Sequence, residues 1–437
     1  MVKSKKIVIA KPIVGEPKES DFKIIEEELP PIKNGGAKCS AFALRGPHTG
    51  TSLSRACLNH FSTQLSTQVL VEALWLSVDH YQRAVASYVM KPGDTMIGLA
   101  VSRIVETRNP KFSVGKLVVG SFGWNTKSVV DVNKPGDLKL PKPYLLPDFK
   151  GLPESLGLGL LGMPGKNNED RRRRRKRTMD EIFWEDVDVE EKRNESETEE
   201  HEEIADKEEM GPKYKEVGDA LKRIKQGKAP AYFGFLEICK PKPGEVVVVS
   251  GAAGAVGSIV GQIAKIKGCK VIGFTGSDDK AKWLVEELGF DAAYNYKTKD
   301  IAEALEEAAP EGVDCYFDNV GGSQSIAVIQ KMNSFGRISV CGALSYFNSS
   351  SAPEVNNTSM KTPSIQLSVL TNQLKMEGFM VGRWNDQWLD GLKQLVQWTT
   401  EGKLKYHETV TEGFKNTPKA LIQMLKGESL GKAVVKV

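Results

Sequence analysis

"GEVVVVSGAAGAVGSIVGQIAKIKGCKVIGFTGS", residues 244 to 277, decides the fold. Four consecutive valines suit a strand buried on both faces, the situation of a parallel sheet covered by helices. Gly251, Gly254 and Gly257 then interrupt the apolar run, an amphipathic segment follows, and "KVIGFT" starts a second strand. Strand, glycine turn, helix and strand make a βαβ unit. A nucleotide's pyrophosphate needs such a turn, free of side chains, ahead of a helix N-terminus whose N–H groups face the anion. The spacing is G-x-x-G-x-x-G, not the G-x-G-x-x-G of the dinucleotide fingerprint, so the strand-turn-helix context carries the reading. A tight turn without a ligand is the competing one.

Downstream, "KAKWLVEELGF", "DAAYNY", "IAEALEEAAP", "VDCYFDNVGG", "SIAVIQKMN" and "GRISVCGAL" continue the alternation of helix and strand. A doubly wound parallel sheet is expected, with its ligand crevice outside the carboxyl ends of the strands. "YFDNVGG" (316 to 322) and "SVCGALS" (339 to 345) fall at such ends, where Asn319 is placed to bond a cofactor and Gly321 and Gly322 permit close backbone approach. The second strand ends in "FTGSDDK", where an acidic residue would bind the ribose of NAD and a cation the extra phosphate of NADP. Asp278 and Asp279 precede Lys280, so these residues leave the choice open. They also suit the first turn of the next helix, where acids complement the dipole.

Upstream, residues 69 to 165 alternate short strand-like runs with turns and predict a compact β-rich domain. Two stretches differ in texture. Residues 36 to 68 are small and polar without a clear period. Residues 166 to 228 set the basic run "RRRRRKR" (171 to 177) against a long acidic tract, and are expected to be disordered. The chain has 437 residues, 60 basic and 56 acidic, a net charge of +4 that points to no general attraction to nucleic acid. The basic run is a candidate nuclear-localisation or nucleic-acid segment, but the acidic tract beside it offers an intramolecular partner and no aromatic interleaving accompanies it. The six cysteines, Cys39, Cys57, Cys239, Cys269, Cys315 and Cys341, are scattered without a CxxC pair and suit reduced thiols in a cytoplasmic protein. Cys39, His48, Cys57 and His60 lack zinc-finger spacing, and no metal site is expected. No apolar stretch is long enough to predict a membrane helix.

As an ordered set, "LPPIKNG", "VEALWLSVDHYQR", "GDTMIG", "GMPG", "AYFGFLEI", "SGAAGAVGSIVGQIAKIKGCKVIG", "GSDDK", "NYK", "CYFDNVGG", "FGRISVCGALS" and "LGKAVVKV" resemble the prostaglandin reductases. These leukotriene hydroxydehydrogenases are zinc-independent medium-chain dehydrogenase/reductases that overlap with the NADP-dependent alkenal reductases. The resemblance covers nearly all the chain outside 36 to 68 and 166 to 228. It implies an α/β protein: a GroES-like catalytic domain over 1 to 165, a Rossmann domain over 229 to 399, and a return to the catalytic domain over 400 to 437. It also implies NADPH, a homodimer, and reduction of the C=C bond of α,β-unsaturated aldehydes and ketones, eicosanoids among them. Hydride would reach the β-carbon while hydrogen-bond donors hold the developing enolate oxygen.

Carried over position by position, the resemblance puts Gly254, Ala255 and Val256 at the pyrophosphate, Lys280 at the 2′-phosphate with Tyr296 beside it, and Asn319 on the cofactor. Three departures stand out. The family's "DPYMR" reads "DHYQR", leaving Tyr81 as the substrate-side hydroxyl donor, with packing in the core as its bland alternative. The family tyrosine that reaches the substrate carbonyl is Thr371, and the cofactor-contacting Asn of "NLGK" is Ser429.

Joining residue 165 to 229, or excising 36 to 68, restores continuous family segments, so both stretches read as insertions or as unspliced sequence. Two alternatives to the reductase remain at this level: a quinone reductase of the same superfamily, and a cofactor-binding scaffold whose catalysis Thr371 and the charged insertion have weakened.

Overall fold

The four valines lie in the middle of a six-stranded parallel sheet, where Val247, Val248 and Val249 have no solvent exposure. In this computed structural model the described residues are 2–33, 37–38, 62–63, 66–134, 142–146, 153–158, 230–347, 365–384 and 387–437. The 166 to 228 stretch with its basic run, most of 36 to 68, and the "GMPG" segment lie outside them. The chain divides into two compact units, one of Met1–Ala86, Met90–Gly159 and His407–Val437, the other of Ser87–Val89 and Leu160–Tyr406.

In the first unit β1 (Val2–Ile9) and β2 (Phe22–Leu29) form an antiparallel hairpin, and β3 (Ala37–Lys38) pairs with β4 (Ser62–Thr63). A larger sheet follows from β5 (Gln68–Ser77), β6 (Leu99–Thr107), β7 (Leu117–Ser121), β8 (Lys127–Asp131) and β9 (Tyr144–Leu145). The two-residue period of a strand sorts the side chains of β5. Val69, Val71 and Ala73 enter the main core with Ile7, Ile104 and Trp124, whereas Leu70, on the other face, meets Leu29 and Ile32.

The second unit is built on β10 (Val246–Ser250), β11 (Lys270–Thr275), β12 (Ala292–Asn295), β13 (Val313–Asp318), β14 (Met332–Val340) and β15 (Lys375–Gly378). Their order is β12-β11-β10-β13-β14-β15, every pair parallel. From β10 the chain winds outward through β11 and β12, then returns to the far side of β10 as β13. In an open sheet of parallel strands such a reversal is where a ligand crevice is expected, at the carboxyl ends of β10 and β13. The helix Gly257–Ile266 packs tightly over this sheet, because a Cβ on Gly261 would come within 1.9 Å of the Phe290 ring. Before β10, Pro230–Cys239 forms a π-helix whose Gly234 admits the ring of Phe379, at 2.1 Å from where a Cβ would stand.

β16 (Glu408–Glu412) and β17 (Lys432–Lys436) return the chain to the first unit and complete its seven-stranded sheet, β16-β17-β5-β6-β7-β9, with β8 also on β5. The helix Thr417–Leu425 between them buries Ala420, Leu421 and Met424 in the same core as β5.

Candidate functional site

The carboxyl end of β10 is where the backbone does most. Gly251 turns with φ +58°, a conformation that glycine adopts without penalty, and the N–H of Gly254 closes the turn on the Gly251 carbonyl at 3.1 Å. A Cβ on Gly257 would lie 2.5 Å from the Gly251 oxygen and 2.8 Å from the Ala252 Cα, so only glycine lets the helix start this close to the strand. Val256, at the N-cap, supplies no side-chain hydrogen bond, and the first turn holds no acid. No side chain caps this helix N-terminus, which suits it to a phosphate. Gly254, Ala255 and Val256, which the resemblance assigns to the pyrophosphate, form this turn.

Next to it, Asp318 ends β13 with a carboxylate that is 2% exposed. Its Oδ1 accepts hydrogen bonds from Ser250 Oγ (3.1 Å), Tyr316 Oη (2.9 Å) and the N–H groups of Val320 and Gly321 (3.0 and 2.9 Å). Its Oδ2 accepts from Ser325 Oγ at 2.7 Å. The charge is thus met by neutral donors alone, in the manner that makes a buried carboxylate tolerable. Burial and the Asp318 charge both hold the Tyr316 phenol well above its usual range, so it remains a donor. Asn319 is tied down next: its N–H bonds Ser250 Oγ at 2.9 Å and its Nδ2 the Ser250 carbonyl at 2.7 Å. A Cβ on Gly342 would come within 2.8 Å of the Asn319 carbonyl, so β14 leaves the sheet in close contact with this corner. Sequence reasoning picked out Asn319 and passed over Asp318, although both stand in "YFDNVGG".

At the carboxyl ends of β11 and β12 lie Gly276, Asp278, Lys280, Asn295, Tyr296 and Lys297. Asp278 and Asp279 occupy the first turn of the helix Asp278–Glu286, and Asp278 Oδ1 accepts a hydrogen bond from Asn295 Nδ2 at 3.0 Å. Lys280 is half-buried, and burial followed by the charge of Lys297 lowers its ammonium below the usual lysine range. Tyr296 is 45% exposed.

Tyr81 and Ser429 belong to the first unit. Tyr81 is 8% exposed in the helix His80–Tyr88. The Lys432 ammonium, 3% exposed as a residue, donates to the Val78 carbonyl (2.7 Å) and to Asp79 Oδ1 (2.6 Å), while Ser77 Oγ donates to the other Asp79 oxygen. This pair brings the segment carrying Ser429 beside the start of the helix carrying Tyr81. His80, where the family has proline, is pushed down to about 4 by burial, with Asp79 opposing and Lys432 adding to the shift, and is a neutral imidazole at ordinary pH.

Thr371 is placed elsewhere. It ends the helix Ile365–Thr371, its Oγ1 donates to the Leu367 carbonyl at 2.9 Å, and the next residue's carbonyl accepts the Phe335 N–H at 2.7 Å. Since β15 starts at Lys375 opposite Arg337 and ends at Gly378 opposite Val340, Thr371 lies at the amino-terminal edge of the sheet. The glycine turn and Asp318 lie at the other edge. Within this unit the structure therefore does not bring Thr371 to the cofactor corner.

Among the described residues no group of three or more His, Cys, Asp or Glu could hold a metal ion. Nor is any described helix long and apolar enough to cross a membrane.

The comparisons with known proteins agree with this architecture. Residues 255–397 match the family model of a zinc-binding dehydrogenase, and residues 55–137 that of the N-terminal domain of oxidoreductase. Prostaglandin reductase 1 of Bos taurus is 39% identical over 438 residues, covering all of both chains. The NADP(+)-dependent 2-alkenal reductase of Nicotiana tabacum is 31% identical over all of this chain and 98% of its own. Among solved structures, CurA from Vibrio vulnificus in complex with NADPH has a TM-score of 0.69 at 26% identity, covering 99% of each chain. The quinone oxidoreductase of Escherichia coli, at 13% identity and a TM-score of 0.58, shares the fold.

Proposed function

The chain belongs to the prostaglandin reductase family, and we propose that it is an NADPH-dependent reductase of the C=C bond of α,β-unsaturated aldehydes and ketones. The observation that carries this reading is the carboxyl edge of the parallel sheet, in a chain similar over its full length to prostaglandin and 2-alkenal reductases. The residues at that edge fit NADPH: a glycine turn that a Cβ would fill, an uncapped helix N-terminus, and two lysines at the end where a 2′-phosphate would lie.

When bound, NADPH supplies the hydride that reaches the substrate's β-carbon. The turn of Gly254, Ala255 and Val256 would hold the pyrophosphate through N–H groups other than that of Gly254, which closes the turn on Gly251. Lys280 with Tyr296 would bind the 2′-phosphate, and Asn319 and Ser429 are assigned to the cofactor. Tyr81 would donate a hydrogen bond to the substrate oxygen as enolate character develops, which would stabilise the transition state more than the ground state. Proton delivery to the α-carbon is assigned to water. The name of the Bos taurus relative supports prostaglandins, and that of the plant relative 2-alkenals, as substrates to test, a 15-oxoprostaglandin being the enone form of the first.

A cytoplasmic homodimer completes the reading. β15 is the last strand in the sheet order, and around it Phe335, Leu367 and Leu370 are 65%, 66% and 75% exposed, with Met376 and Met380 also exposed. An apolar patch on an open strand edge suits a second copy of the chain. Thr371 would then take part at that interface. Sedimentation of wild type against Met376→Lys tests it: a dimer that the substitution dissociates is expected, and a monomeric wild type removes the assignment.

The activity itself is tested by incubating the full chain with NADPH and either a 2-alkenal or a 15-oxoprostaglandin, with NADH as control. Saturated carbonyl product, formed with NADPH in preference to NADH, is expected. Product in which only the carbonyl is reduced would reject the assignment.

A further inference from the structure

Asn295 closes β12 opposite Thr275, the last residue of β11, and is 8% exposed. Its side chain makes two bonds that point in different directions. Nδ2 donates to Asp278 Oδ1 at 3.0 Å, and Oδ1 accepts the Lys297 N–H at 3.1 Å. Its carbonyl meanwhile accepts the N–H groups of Thr298 and Lys299, at 3.1 and 2.9 Å, which fixes the turn after Lys297. One buried amide thus engages the first carboxylate of the helix Asp278–Glu286 and sets where Lys297 leaves the strand.

Lys297 does not simply run away into solvent. A Cβ built on Gly276 would lie 3.3 Å from Tyr296 Oη and 3.6 Å from Lys297 Cε, so phenol and lysine stem both fold back over the end of β11. This places Lys297 on the same strand end as Lys280, and the two charges are near enough for Lys297 to lower the Lys280 ammonium. Two like charges held together disfavour each other until an anion joins them. A dianionic phosphate answers both.

We propose that Lys297 is a second specificity-determining cation for the 2′-phosphate of NADPH, and that Asn295 is a positioning residue that sets Lys297 and keeps Asp278 engaged away from the adenosine ribose. The proposal deepens the NADPH reading above and rests on it. It also gives a physical account of how "GSDDK" can hold two acids beside a phosphate-binding lysine: the first acid is already bonded to the neighbouring strand.

The test is binding, by fluorescence and calorimetric titration of the full chain with NADPH, NADH and adenosine 2′,5′-bisphosphate. Lys297→Met is expected to weaken NADPH and the bisphosphate about tenfold while changing NADH less than twofold, the scale of one charge-assisted contact. Asn295→Ala is expected to lower the ratio of NADPH to NADH affinity, by weaker NADPH binding and tighter NADH binding, and Asp278→Asn in that background is expected to return NADH to its wild-type affinity. Asp278→Asn alone, which leaves Asn295 in place should Asn295→Ala fold poorly, is expected to leave NADH affinity unchanged. Equal weakening of NADPH and NADH by Lys297→Met, or no effect on either, overturns the role of Lys297. Loss of NADH affinity in Asp278→Asn would put that acid on the ribose and overturn the role of Asn295. A wild type that binds NADH as tightly as NADPH is a different failure, because it overturns the NADPH reading itself.

Discussion

The two edges of the parallel sheet are built from the same six strands by opposite means. At the carboxyl edge the strands end in glycine turns and in one buried carboxylate, Asp318, satisfied by hydroxyl and amide donors. At the amino edge Arg337 closes the structure with side chains: it ion-pairs with Glu245, donates through Nε to the Cys239 carbonyl at 2.8 Å and reaches the Asp314 carbonyl, while Asp314 accepts from the Val246 N–H and Asn333 Nδ2. One edge leaves backbone groups for a ligand and the other uses them up. Function and stability are therefore expected to separate along the strand direction.

Substitutions at the two edges can break that separation. The largest effect is expected for Gly257→Val, whose side chain would collide with the backbone at Gly251 and Ala252. NADPH affinity should fall more than about 100-fold, and circular dichroism distinguishes loss of the site from loss of the fold. Lys280→Ala should weaken NADPH by about 10- to 100-fold and NADH little, measured by the same titration; equal weakening would remove Lys280 from the 2′-phosphate. Arg337→Met reverses the pattern. Removing one partner of a largely buried pair should cost about 1–3 kcal/mol in denaturant unfolding and leave NADPH affinity within about twofold. Smallest of all, Thr371→Val should change kcat and KM by less than about twofold, since its hydroxyl already serves the Leu367 carbonyl. A large loss of activity in that variant would show the amino edge taking part in catalysis.

Features carried by neighbours in sequence were legible before the structure. The valine strand, the glycine turn, the alternation of helix and strand, and the lysine after the second strand each follow from local spacing and backbone sterics. What escaped depends on contacts across the fold. Asp318 gains its importance from Ser250, 68 residues earlier in the chain, and the Asp278–Asn295 bond joins the start of a helix to the end of a strand. Lys432 and Asp79 meet although 353 residues separate them. Thr371 teaches the converse lesson, because correspondence with a family tyrosine identifies a position in the chain while the register of β15 against β14 decides at which edge it lies.

Binding of NADPH at the carboxyl edge for reduction of a carbon–carbon double bond is tested by NADPH oxidation by the purified full chain with a medium-length 2-alkenal, with the product identified by mass spectrometry after use of deuterated cofactor. Saturated aldehyde with deuterium on the β-carbon is expected. Allylic alcohol with deuterium on the carbonyl carbon, or tight NADPH binding without turnover, would contradict it.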